Sequence, residues 1–529
     1  MTMPVINYEE YKRCLEILRA KPGGLLGKDN IEEKMRCFEF FKANARPSDM
    51  WIFSEFLNNS NSLVRQKAAE TIIHLFLMLK SQEELSEGLR AMRITINDLG
   101  IFAKAFPEDT YFELLAIASF NGNGYIREEA VALLSKTNNS KAIRYLLLRT
   151  ADWVSEVREA AIRAVQGYLQ PAYHEVFIQQ LPVVEWLLQI RRADLSDLYA
   201  QIIDFVTSQS LSASGIKALV ISDKSRLLLY SHLLERVGLT ADLLKLIRNN
   251  RNFLIRSLLF KYIPQLPSEE QEKLLSQLLN DRSGRIKLMA LYAIKPKLIH
   301  FRARVFALLS DESSAIRELS RSLLKGETTD FAAIYRDNMQ NGLEILGSLM
   351  GLSELGSKTD IPLFEMNISS TSSKVKLACL TALNRLDSSL GQKYGLSLLT
   401  DGSKKVRTRC CEILSKAYDD EVLDQVRSVY ESGSSDQRKT ILGLFNMIGG
   451  WKVVADLIYS LSDPSQEISD LGWGYLLKWK LKAVRTFTTP APNDLERAHI
   501  AYKRIADINL RMTYYRQKLW EELPFFLRR

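Results

Sequence analysis

The stretch Asp401-Gly402-Ser403-Lys404-Lys405-Val406-Arg407-Thr408-Arg409-Cys410-Cys411-Glu412-Ile413-Leu414-Ser415-Lys416-Ala417-Tyr418 decides the fold. It opens on a polar turn. Asp401 is expected to cap the helix that follows, because a carboxylate accepts from the backbone N–H groups left free at a helix start. Val406, Cys410, Ile413, Leu414 and Ala417 then recur at helical spacing, so one face of that helix is apolar.

The pattern recurs along the chain. An apolar residue followed by a base appears at Val64–Arg65, Ile126–Arg127, Val157–Arg158, Ile255–Arg256, Ile286–Lys287, Ile316–Arg317, Val375–Lys376 and Val406–Arg407, with Gln437–Arg438 as a variant. From 127 to 158 is 31 residues, as it is from 256 to 287, 376 to 407 and 407 to 438; 287 to 317 is 30. The gaps 65 to 127 and 317 to 376 are near doubles, 62 and 59. Ile190–Arg191 and Ser225–Arg226 read as worn copies, a third falls near 346, and Ile468–Ser469 is a copy without its base. Six residues before the basic position there is nearly always a small polar residue: Asn59, Asn121, Asp152, Asn250, Asp281, Asp311, Ser370, Asp401, Ser432 or Asp463. Such residues make side-chain-to-backbone turns and helix caps. A fixed period of this length is the mark of a solenoid, in which helix pairs bury their apolar faces against one another.

The Asp-x5-Arg spacing, the Val before the Arg and the Ala-rich helix after it resemble HEAT repeats. The ~31-residue unit resembles the short form first named from phycobilisome lyases. The resemblance covers roughly 51–480 and implies an all-α fold, an α-solenoid of stacked antiparallel helix pairs wound as a superhelix. It also implies a ladder of acid and base between adjacent repeats. That role falls on Asp152, Asp281, Asp311 and Asp401 with Arg158, Lys287, Arg317 and Arg407.

The chain has 529 residues, 46% apolar and 25% charged, the composition of an ordered protein. It has no apolar run of about 20 residues to cross a membrane, and the opening Met1-Thr2-Met3-Pro4 lacks the regions of a secretory signal. The five cysteines, Cys14, Cys37, Cys379, Cys410 and Cys411, lack metal or redox spacing and suit a reducing cytoplasm. The expected organisation is N-terminal capping helices over 1–50, the solenoid over 51–480, a linker over 481–494 and one long helix over 495–529. Within the cap, helices are expected over Tyr8–Ala20 and Ile31–Phe41. The loop Gly23-Gly24-Leu25-Leu26-Gly27-Lys28-Asp29 fails as a phosphate-binding loop on spacing. Ser208–Ser214 reads as a polar linker.

Residues 244–325 carry sixteen bases against seven acids, a net +9 equal to that of the whole chain. Arg248, Arg251, Arg282, Arg285, Arg302, Arg304 and Arg321 are candidates for an anionic partner or a nucleic-acid backbone, against a plain solvated surface. In the tail, Asn493 or Asp494 is the expected cap and Pro524 the stop. Ala498, Ala501, Ile505, Ile508, Met512, Tyr515 and Leu519 alternate by three and four as a coiled-coil-like seam. That helix either caps the last repeat or docks a partner through Trp520, Phe525 and Phe526. Trp473, Tyr475 and Trp479 read as core or end cap.

Catalysis finds little in the sequence. His74, His174, His232, His300 and His499 stand singly, without metal-ligand spacing. One His-Glu pair, His174–Glu175, does not meet the needs of a HEAT-repeat hydroxylase of the deoxyhypusine type. No G-x-S-x-G elbow is present. Trp153 beside Asp152 resembles the aromatic and acid of HEAT-like DNA glycosylases, but Asp152 already holds the turn position of its repeat. No catalytic residue, metal site or cofactor is expected, nor a small-molecule ligand. The expected function is a non-catalytic scaffold or adaptor holding a protein partner along its concave face. The alternatives are a nucleic-acid-binding solenoid using 244–325 and, more remotely, a glycosylase-like or lyase-like enzyme.

Overall fold

The computed structural model describes residues 8–20, 30–79, 87–208, 213–326, 330–486, 488–508 and 514–527. These residues are helical throughout, with short turns and no strand among them. None of their helices is long and apolar enough to cross a membrane. The loop at 23–29 and part of the 208–214 linker lie outside them; 213 and 214 open a short helix, Ala213–Ala218.

The chain divides into two compact units, Met1–Gln265 and Leu266–Arg529. The division falls inside the expected 51–480 solenoid. Pro264 and Pro267 flank it, and proline there ends helical hydrogen bonding.

Each unit is an α-solenoid of stacked antiparallel helix pairs. In the first, Ala142–Arg149 turns into Ser155–Gly167, which packs on Gly124–Lys136 of the preceding pair. In the second, Ser388–Ser397 turns into Lys404–Leu414, which lies between Ser373–Leu386 and Ser435–Ile448. Val406, Cys410 and Leu414 are fully buried there. Burying a Val or Leu side chain contributes roughly 1.5–3 kcal/mol, and a single short helix has no face to bury it against. The helix ends at Leu414, so Ala417 is half-buried in the following turn, while Cys411 is buried in its stead.

At the N-terminus the expected helices are Tyr8–Arg19 and Ile31–Asn44. They join the stack through aromatic contacts: Phe41 lies 5.0 Å from Phe53 and Phe38 5.9 Å from Phe56.

The C-terminus differs from one continuous helix. Helices Pro492–Ala506 and Tyr514–Leu527 pack against each other, and the rings of Tyr502 and Trp520 stack at 4.5 Å. Ala491 is the cap and Pro492 the first helical residue, in place of Asn493 or Asp494, because proline's fixed φ suits a first turn. Pro524 sits inside the second helix and does not end it.

Candidate functional site: polar rungs and an arginine-lined cavity

The small polar residue of each unit does not cap its helix. The N-cap after Asp401 is Ser403, and Asp401 Oδ1 accepts from the Ser403 N–H at 2.8 Å, closing a turn two residues earlier. Asp152, Asp281, Asp311 and Asp463 make the same bond to Val154, Ser283, Ser313 and Ser465. In the first unit the device is doubled. Asn121 accepts from Asn123 N–H at 2.9 Å, and Asn123 accepts from Tyr125 N–H at 3.0 Å; Asn59–Asn61 and Asn250–Asn252 do likewise.

The base six residues on performs two tasks. It donates back to the carbonyls of its own turn, as Arg407 Nη1 does to Asp401 O at 2.7 Å and Gly402 O at 3.1 Å. Arg158 does so to Asp152 O at 3.0 Å, and Arg317 to Asp311 O at 2.6 Å. It also reaches the acid of the next turn. Arg127 pairs with Asp152 at 2.8 Å, Lys287 with Asp311 at 2.6 Å, Lys376 with Asp401 at 2.5 Å and Arg438 with Asp463 at 3.2 Å. The acid therefore pairs with the base of the preceding turn, while its own base holds the backbone. Asp401 shows the electrostatic result. Burial alone would raise its pKa, yet the Lys376 ammonium and the Ser403 N–H hold it below the ordinary carboxylate value.

The worn copies depart from this rule for visible reasons. Ile190–Arg191 falls in the turn after His174–Leu187 and starts no helix. Arg226 keeps the role, donating to Ile216 O and Leu219 O at 3.2 and 2.8 Å. Near 346 no side chain closes the turn. The backbone takes left-handed φ at Gly342 (69°) and Glu344 (42°), and Gly347 sets the next helix on the Ser310 carbonyl. Arg317 and Arg321 then meet Glu354 in the last turn of that helix. At Ser469 the hydroxyl donates to Leu461 O at 2.8 Å in place of the missing base.

The candidate arginines of 244–325 are divided between the two units. Arg248 and Arg251 belong to the first unit, the other five to the second. Arg302 and Arg304 are two residues apart on Leu298–Ala307, about 200° round the axis at roughly 100° per residue. Arg304 donates to Ser276 O at 3.3 Å, and Arg321 is spent on Tyr335 OH at 3.1 Å and Glu354.

In the tail seam, Ile505, Leu519 and Trp520 are buried, Ile508 and Tyr515 are exposed, and Met512 lies outside the described residues. Ala498, Ala501 and Ile505 are buried on a helix packed against Val454–Tyr459. Trp520 and Phe526 meet Trp473 and Trp479 edge-on, both at 6.3 Å, while Phe525 is exposed.

A further arrangement left little mark on the sequence beyond Trp153 beside Asp152. In the first unit a cavity of about 270 Å³ is lined by Arg90, Arg127, Arg149 and Arg192, with Asp152, Phe120, Trp153 and Trp186. Arg90 and Arg192 stand 62 and 40 residues from Asp152 in sequence, so no local motif joins them. Asp152 is buried and accepts from Arg127 Nε and Nη2, Arg149 Nη1 and the Val154 N–H, at 2.8–3.0 Å. Arg149 Nε is buried without a hydrogen-bond partner. Its pKa is pushed down to about 10, by burial first; Asp152 opposes this, while Arg127, Arg192 and Arg90 add to it.

Of the histidines, buried His174 bonds Val206 O at 2.9 Å and His232 pairs with Glu185 at 2.8 Å. Among the described residues no cluster of three or more His, Cys, Asp or Glu is placed to hold a metal ion.

No protein-family model matches the chain, and no curated protein matches it in sequence. Solved structures similar to it are helical solenoids. Kap121p is 12% identical, with 99% of this chain and 78% of that chain covered and a TM-score of 0.26. The S. pombe condensin Cnd3–Cnd2 subcomplex is 16% identical, over 99% and 77%, at 0.36. Yeast importin-β, Kap95p, is 11% identical, over 98% and 67%, at 0.30. At such identities and scores the likeness says nothing of what this chain binds.

Proposed function

We propose that the chain is a non-catalytic scaffold that holds a protein partner against the N-terminal ends of its second helices, and that its units are of the short, phycobilisome-lyase type. One observation carries this reading. Two residues after the N-cap that follows each of these polar turns the side chain is exposed, and the turns hold these positions equivalent from repeat to repeat. In the first unit the row is Leu63, Tyr125, Glu156 and Leu254; Leu63, Tyr125 and Leu254 are 59%, 75% and 47% exposed. In the second it is Arg285, Ala315, Lys374, Lys405, Asp436 and Glu467. A regular row of chemically varied groups suits an extended protein surface, and large exposed apolar groups mark such surfaces.

The enzyme reading lacks a free acid. Both oxygens of Asp152 are filled by donors, so it has no lone pair to give a water or a substrate proton. For the nucleic-acid reading, Arg302 and Arg304 lie on roughly opposite sides of one helix in the second unit, and Arg321 is already paired with Glu354.

The test is tagged capture from source cells of the wild-type chain and of a Leu63→Glu/Tyr125→Glu variant with unchanged melting temperature. The proposal expects one protein in near-stoichiometric yield with the wild type and its loss from the variant. Equal recovery with both, or no protein with either, contradicts it.

A further inference from the structure

We propose that the arginine-lined cavity of the first unit binds a phosphate monoester dianion. The inference stands apart from the protein-partner reading, since a free phosphate or a phosphorylated side chain of a partner would present the same group.

The charge balance is the first argument. Four guanidinium groups, Arg90, Arg127, Arg149 and Arg192, line the cavity with a single carboxylate, Asp152. The excess is three positive charges in a space of about 270 Å³. Arg90 and Arg192 make no ion pair with a carboxylate among the described residues. Like charges so close repel, and an anion of charge −2 relieves that repulsion directly.

The second argument is the arrangement of the donors. Arg127 gives four of its five N–H donors to Asp152 and to the carbonyls of Asn121 and Gly122, so it acts as a fixed charge. Arg149 is different: its Nη1 holds Asp152 while its buried Nε has no partner. A buried donor without a partner is costly, and here, beside Arg90 and Arg192 in an open cavity, it can be met by an acceptor supplied from outside. Aromatic faces hold the planes in place. Arg149 lies over Phe120 at 4.5 Å, and Arg90 and Arg127 lie over Trp153 at 5.7 and 5.6 Å. Guanidinium forks held in this way match the oxygens of a phosphate better than a lysine would.

The third argument is size and surroundings. Pockets for whole drug-sized ligands run to roughly 300–1,000 Å³. A cavity at or below the lower end admits a phosphoryl group and the few atoms that carry it, with Leu148, Ala151 and the Trp186 ring for an apolar stem. A nucleic-acid backbone needs a track of bases. Residues 151–200 instead carry Arg158, Arg163, Arg191 and Arg192 against Asp152, Glu156, Glu159, Glu175, Glu185, Asp194 and Asp197.

The experiment is titration calorimetry of the full chain with phenyl phosphate, at low salt and pH 7.5. The expected result is saturable one-to-one binding, weakened at least about tenfold in the exposed-site variant Arg192→Glu and in Arg149→Met. Binding is also expected to weaken at pH 5.5, where a monoester with a second pKa near ~6 carries less charge. A phosphotyrosyl peptide and adenosine monophosphate, titrated in parallel, distinguish a partner's side chain from a free small phosphate. Absence of saturable binding overturns the proposal. So does binding that Arg192→Glu leaves unchanged while the variant keeps its melting temperature, or single-stranded DNA displacing phenyl phosphate by contacts outside this cavity.

Discussion

Arg127 holds both carboxylate oxygens of Asp152 across a turn boundary, Nε to Oδ2 at 3.0 Å and Nη2 to Oδ1 at 2.8 Å, whereas Arg158 reaches only the Asp152 carbonyl. The rung thus joins neighbouring turns, and the base within each turn holds its backbone. Both side chains of the Arg127–Asp152 rung are at most 3% exposed. Removing one partner of a buried pair strands the other charge and costs about 3–5 kcal/mol. Asp152→Ala is therefore expected to lose stability on that scale in urea unfolding followed by circular dichroism. Arg438→Ala, from a rung whose base is 21% exposed, should lose clearly less. Equal losses would contradict the account.

The Lys376–Asp401 rung sets a dependence on pH. Lys376 and the Ser403 N–H outweigh burial and lower the folded-state pKa of Asp401. A depressed carboxylate contributes stability that is fully present above its unfolded value of about 3.9 and is lost as pH falls through the folded value. Lys376→Met should therefore differ most from wild type above pH ~4, and the two unfolding free energies should converge as pH falls below that. A constant difference between pH 7 and pH 3 would contradict the assignment.

Two glycines give opposite responses to the same methyl group. A Cβ on Gly347 would meet the Ser310 carbonyl oxygen at 1.8 Å, and backbone cannot swing aside. Gly443 lies in Ser435–Ile448 with nothing within 4 Å of such a Cβ. Gly347→Ala is expected to cost about 3 kcal/mol or more, at the upper end of overpacking. Gly443→Ala is expected to gain roughly 0.5–1 kcal/mol through helix propensity. Thermal melts of the two variants read out the difference.

The thiols of the core are expected to be inert. Burial pushes Cys379, Cys410 and Cys411 up to about 12, far from thiolate formation at neutral pH. In an aromatic disulfide assay at pH 8, these three should not react in the folded chain and should react at once in denaturant. Fast labelling of any of them in the native state, located by peptide mapping, would show that the helices open there.

The repeat was legible because its chemistry is local. A small acid or amide, its turn and a base six residues on lie within one contiguous stretch, and 401–407 shows all of it. What that chemistry closes was misread: Asp401 makes a turn ahead of Ser403 and is not itself the cap. The copy near 346 was hidden because left-handed backbone at Gly342 and Glu344 replaces the side-chain turn. The tail misled because spacings of three and four fit two packed helices as well as a continuous one, and no residue type after Ala506 marks the end of the first. Of the cavity, only Trp153 beside Asp152 could be seen in the sequence, and its arginines had no signal. Arg90 and Arg149 end two different helices and Arg192 lies in the connection after His174–Leu187, and only stacking brings them to Asp152.

The most direct test of the partner-binding row is photo-crosslinking in source cells, with a benzophenone side chain placed in turn at Leu63, Tyr125, Leu254 and, as a control off the row, Lys104 near the end of Ile96–Ala105. Each position is exposed. The account predicts adducts from the three row positions to one and the same protein, and none from Lys104. Adducts to unrelated proteins at each position, or the same yield from Lys104, would contradict it.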